Sequence, residues 1–177
     1  ASPQNGAGAS IVTGNYNTFM GDSAGANMVS GWYGTFIGKN AGFNLNNDWD
    51  YTIVGSFANY LGTTGIDNVI IGARAGYRND GSDVVFVGNM AGYNNTTGGD
   101  LTFVGEDAGY ENTTGEDNVF VGEDAGYNNT TGNDNTFLGN AAGRQNTIGY
   151  RNTAVGNQAL YDLGGTNDTN VHHNKAV

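Results

Sequence analysis

A triplet of one large apolar residue, one aliphatic residue and Gly recurs along the whole chain, and its spacing leaves few folds open. It begins at Phe19, Phe36, Ile53, Ile70, Phe86, Phe103, Phe120 and Phe137, and in weakened form at Ala154. Successive steps are 17 residues, except for one of 16 between Ile70 and Phe86. The unit reads F-V-G-x-x-A-G-Y-x-N-T-T-G-x-D-N-T. A helical hairpin repeat needs roughly 30 or more residues. Gly and Asn fill 31 and 27 of the 177 positions, and both are poor helix formers. Read as a strand, N-T-F-V-G alternates, with Asn, Phe and Gly on one side and Thr and Val on the other. The T-T-G-x-D and D-A-G stretches supply turn chemistry. The expected fold is all-β: a parallel β-solenoid of about nine to ten 17-residue coils stacked at ~4.8 Å. The phase fills about residues 5–171, so 1–177 reads as a single repeat domain, with 172–177 less regular.

Stacking puts each residue type on its own copy one coil away, which explains the sameness. A β-branched row precedes the large row: Thr18, Thr35, Thr52, Val69, Val85, Thr102, Val119, Thr136 and Thr153. An aliphatic row follows it, from Met20 to Val155. Ala24, Ala41, Ala58, Ala75, Ala91, Ala108, Ala125, Ala142 and Ala159 mark a tight corner, and Asn rows can hydrogen-bond along the stack. The large and aliphatic rows face opposite ways on one strand. One can fill the coil; the other needs cover. The large row (Phe19, Phe36, Phe86, Phe103, Phe120, Phe137) is assigned to contact between copies, because an exposed Phe row exceeds what monomers tolerate.

The net charge is −11 with only six Lys and Arg, which argues against nucleic-acid backbone binding. There is no Cys, and no apolar run reaches membrane-spanning length. Both histidines, His172 and His173, sit at the end of the chain, and the Gly-rich turns lack the Lys of a phosphate loop. No enzyme is expected, and no cofactor apart from one alternative. Asp50, Asp67, Asp83, Asp100, Asp117, Asp134 and Asp168 form an aspartate row interrupted by Arg151. Like charges ~5 Å apart repel by about 1 kcal/mol even in water. Ca²⁺ would offset this, with Asp100, Asp117 and Asp134 as the central ligands; the plainer reading is a row of exposed turn residues. Phe43, Tyr60, Tyr77, Tyr93, Tyr110, Tyr127 and Tyr161 form an aromatic stripe suited to packing along the rod or to stacking sugars.

The units NTAVGNQAL (152–160) and NTFLGNAAG (135–143) resemble the head repeats of trimeric autotransporter adhesins and similar repeats of phage tail fibres. The resemblance implies a left-handed β-roll with three chains packed about a common axis, at a cell surface or on a virion.

The expected function is a structural subunit of an extracellular fibre or filament, assembling with itself through the apolar ladder and its ends. The alternative is an adhesin or tail-fibre head that binds glycans or matrix. An ice-binding solenoid, suggested by the Thr row, stands behind both. The ends are expected in phase: Ala7 and Gly8 on the Ala-Gly step, Val171 on the Phe step and Ala176 on the Ala step. In-phase ends present unpaired strand edges, which template head-to-tail addition.

Overall fold

The alternating segments become the strands of a parallel β-solenoid, with no helix among the described residues. The computed structural model describes residues 6–162 and the strand 175–176. Its strands are β1 (Thr18–Met20), β2 (Ser30–Trp32), β3 (Thr35–Ile37), β4 (Asn47–Trp49), β5 (Thr52–Val54), β6 (Val69–Ile71), β7 (Val84–Val87), β8 (Leu101–Val104), β9 (Val119–Val121), β10 (Thr136–Leu138), β11 (Thr153–Val155) and β12 (Lys175–Ala176). Ten form one sheet in the order β1-β3-β5-β6-β7-β8-β9-β10-β11-β12, and β2 pairs with β4 in a second. The nine strands from β1 to β11 delimit about eight turns. Phe103 pairs in register with Phe120, and Phe120 with Phe137.

The coil is bonded to its neighbours outside the strands as well. Gly105 N donates to Val87 O of the preceding coil at 2.8 Å, while Gly109 N donates to Ala125 O of the following one at 2.9 Å. Such alternation satisfies turn amides that water would otherwise have to serve. Close stacking also explains the glycine after each apolar pair. Gly122 sits at φ 136°, and a Cβ there would collide with the carbonyl oxygen of Gly139.

The single 16-residue step falls where Asp80 stands in a turn that otherwise reads Thr-Thr. Its Oδ1 accepts from Thr63 N at 2.6 Å and Thr64 N at 3.0 Å. A carboxylate thus takes bonds that backbone carbonyls take elsewhere, and the coil closes one residue shorter.

The Phe row is the core. Phe36, Phe86, Phe103, Phe120 and Phe137 are fully buried, and Phe19, in the first coil, packs against them. Adjacent rings stack with centroids 4.8–5.1 Å apart. This corrects the assignment of that row to contacts between copies. The alanine corner and the glycine after it leave a recess that a phenyl ring fills: Gly109 lies directly against the Phe103 ring. Isoleucine also occupies the row: Ile53 and Ile70 are fully buried there.

Two asparagine rows share the interior. Asn79, Asn95, Asn112, Asn129 and Asn146 form one chain of amides, with Asn112 Nδ2 donating to Asn95 Oδ1 at 2.7 Å and Asn129 Nδ2 to Asn112 Oδ1 at 2.8 Å. Asn118, Asn135 and Asn152 form the other. These amides bond to their copies in adjacent coils and to glycine carbonyls, as Asn112 does to Gly115 O at 3.1 Å, so the rows are satisfied without solvent.

Candidate functional site

With Phe inside, the Thr/Val and aliphatic rows form the outer face of the ten-stranded sheet. Thr102, Val104, Val119, Val121, Thr136 and Leu138 are half-buried on this face. Met20, Ile71, Val85 and Val155 are exposed. No outward position from β1 to β11 is charged. Carboxylates flank the face along the chain, with Asp100, Asp117 and Asp134 before the strands and Glu106 and Glu123 after them.

Backbone shape explains the aspartate row. Asp50, Asp67, Asp83, Asp100, Asp117 and Asp134 all lie at φ 55–58°, a left-handed conformation in which Asp and Asn are several-fold enriched. Their side chains are exposed. Among the described residues, no three His, Cys, Asp or Glu side chains group so as to hold a metal ion. Asp168 lies outside the described residues.

The aromatic stripe stacks along the rod. Tyr77–Tyr93, Tyr93–Tyr110 and Tyr110–Tyr127 are nearly parallel, with centroids 4.9–5.1 Å apart. Arg144 replaces Tyr in the next coil. Its guanidinium lies 4.9 Å from the Tyr127 ring centroid and 5.9 Å from that of Tyr161, and its Nε bonds Asp124 at 3.1 Å. One coil earlier, the corresponding carboxylate, Asp107, faces Tyr127 in place of an arginine. Its Oδ1 is shut off from solvent without a hydrogen-bond partner. Burial, followed by the charges of Asp124, Glu106 and Glu123, raises its pKa above the usual 3.8, against the opposing pull of Arg144.

A raised carboxyl pKa means that the folded state holds the proton more tightly, so Asp107 costs stability once pH rises through that window. Asp107→Asn should therefore stabilise the protein at neutral pH by a few tenths to about 1 kcal/mol, since most of the group is solvent-screened. The gain should vanish as pH falls below the ordinary carboxylate range. Thermal melts of both proteins across pH 3–8 check this; an equal difference at every pH would refute it. Asn40 already occupies the equivalent turn position at φ 57°.

At the start of the chain, Gly8 N donates to Ala24 O at 2.8 Å, which puts Ala7 and Gly8 on the Ala-Gly step. The other end departs from the expected phase. Ala176 pairs with Ala154 and so takes the Phe step, not the Ala step, making the closing step longer than 17 residues. Strand β12 covers the edge of β11. Val171 lies outside the described residues.

Reading by type missed one group. Two adjacent columns at the turn before each strand are acidic, polar or small in most later coils, but aromatic in the first ones. Tyr16 and Tyr33 precede Asp50 and Asp67 in one column; Trp32 and Trp49 precede Ile66 in the other. Tyr16 and Tyr33 stack at 5.2 Å, and Trp32 and Trp49 lie tilted against each other at 4.7 Å. The departure from consensus was visible in the aligned coils. That the two columns make one exposed shelf required the coil geometry.

No family model matches the sequence, and neither a curated protein nor a solved structure matches it.

Proposed function

We propose that the chain is a structural module, a coil stack that serves as a subunit of an extracellular fibre and joins copies of itself through the outer sheet face. The observation carrying this reading is that face: in register and uncharged over nine strands, on a chain of net charge −11. Copies of so acidic a chain repel over most approaches, and the uncharged face is where the repulsion is least. Nine strands at ~4.8 Å and two outward residues per strand give a face on the order of 400 Å². Two copies pairing through it bury about 800 Å² in total, below the range of permanent complexes. Association is accordingly expected to depend on concentration, and the trimer implied by the resemblance would draw on further contacts. Light scattering should find oligomers of the parent protein at high micromolar concentration, and monomers after Val104→Lys with Val121→Lys. A parent protein that remains monomeric at millimolar concentration sinks the proposal. Circular dichroism of the variant checks that the coil persists.

The outward orientation of the Thr row favours one second reading, adsorption to ice, for which a flat, repetitive Thr and aliphatic surface is suited. Val69, Val85 and Val119 interrupt the hydroxyl row. Freezing-point hysteresis in the parent, lost in the same Lys variant without any change of oligomeric state, would select this reading over the fibre.

A further inference from the structure

The shelf of Tyr16, Tyr33, Trp32 and Trp49 does nothing for the coil that later coils do not achieve without it. Tyr16 and Tyr33 sit at φ 64° and 60°, where bulky side chains are seldom found. The two residues are nonetheless 76% and 55% exposed, with their rings stacked on each other at 5.2 Å. Phe57, another aromatic at positive φ, instead packs edge-on against Tyr60 at 5.3 Å. An aromatic patch left open to solvent marks a binding surface. Beside the shelf, Trp49, Asp50, Ile66 and Asp67 line a cleft of about 330 Å³. Trp49 is 49% exposed there and Ile66 46%.

The same two columns identify the chemistry at the far end of the rod. Tyr150 stands in the Trp49 column and Arg151 in the Asp50 column. The Arg151 guanidinium lies 5.7 Å from the Tyr150 ring centroid, and its Nε lies 3.7 Å from Asp134 Oδ2 of the coil before. Arg144 repeats the combination of Tyr ring and Asp carboxylate on the aromatic stripe. At the Trp49 cleft the aromatic face and two carboxylates are present, while the ion pairs among the described residues involve neither Asp50 nor Asp67. Trp is the strongest aromatic partner for a cation, and an acidic chain disfavours an anion. We propose that this cleft binds an arginine side chain of a basic peptide, with the guanidinium over Trp49 and between Asp50 and Asp67.

The only two tryptophans of the chain are Trp32 and Trp49, so fluorescence excited selectively at tryptophan, at wavelengths where the ten tyrosines do not absorb, reports on this shelf. The probe is the capped peptide acetyl-Gly-Arg-Gly-Arg-Gly-amide, with its citrulline counterpart as the neutral control. A saturable change is expected in the millimolar range, as for exposed cation–π and ion-pair contacts. The citrulline peptide should bind at least about tenfold more weakly, and Asp50→Asn with Asp67→Asn should weaken arginine-peptide binding by about tenfold or more. Asn suits the left-handed turn, and coincident melting curves check the fold. Ile66→Lys, which plants a cation in the cleft, should abolish the response. Asp100→Asn with Asp117→Asn, in the same row but away from the shelf, should leave it intact. An equal response to the citrulline peptide or to a neutral oligosaccharide overturns the proposal. So does an equal loss in the Asp100/Asp117 variant, or no response to the arginine peptide at tens of millimolar.

Discussion

Phe120→Ala should destabilise the protein by about 3–5 kcal/mol, the usual cost of emptying a phenyl-sized core site. Phe120 is fully buried and stacks on both neighbours, at 4.8 Å from Phe103 and 5.0 Å from Phe137. Truncation opens a cavity and also ends two ring stacks, each worth ~0.5–1.5 kcal/mol beyond area burial. The glycines lining the recess are held by inter-coil backbone bonds, such as Gly126 N to Ala142 O at 2.9 Å, and this limits collapse into the void. Ala154 shows the contrast: it ends the row, with no ring beyond it in register. Chemical denaturation with unchanged m-value is the measurement. A loss below about 1 kcal/mol would mean that the coil collapses around the deletion.

Asn112→Leu should cost about 2–4 kcal/mol even though leucine is the more hydrophobic residue. Asn112 donates to Asn95 Oδ1 and to Gly115 O, and accepts from Asn129 Nδ2. Leucine removes all three bonds. Asn129 Nδ2 keeps its second bond, to Gly132 O at 3.0 Å, but the Asn95 oxygen and the Gly115 carbonyl each lose a partner, at about 1–3 kcal/mol per unsatisfied buried group. Leucine itself is not foreign to the position. Met28 and Leu45 occupy it in earlier coils, both buried, beside apolar neighbours. The row tolerates either an amide series or an apolar series, and the cost arises at a junction of the two. Replacing Asn95, Asn112, Asn129 and Asn146 together by Leu should therefore cost much less than four times the single change. Strict additivity in thermal or denaturant unfolding would count against the cooperative row.

The sequence by itself determined the period, the strand segments, their parallel register and the identity of most rows. A 17-residue repeat rich in Gly and Asn has no helical solution, and identical units can satisfy identical side chains only by stacking. The small corner at Ala108 and its copies, the hydrogen-bonded amide rows and the in-phase start at Ala7 and Gly8 all follow from that reasoning. Only the tertiary structure decided which apolar row faces inward. Alternation separates Phe103 from Val104 but is symmetric between them, and both rows are apolar. The choice follows from volume, because the recess against Gly109 exists only once the coil has closed. The aspartate row reads from the sequence as exposed turn residues or as calcium ligands, and the backbone supplies a conformational reason for it by placing Asp100, Asp117 and Asp134 at positive φ. The shelf of Tyr16, Tyr33, Trp32 and Trp49 belongs to neighbouring coils, and side chains 17 residues apart become one surface only when the stack sets them about 5 Å from each other.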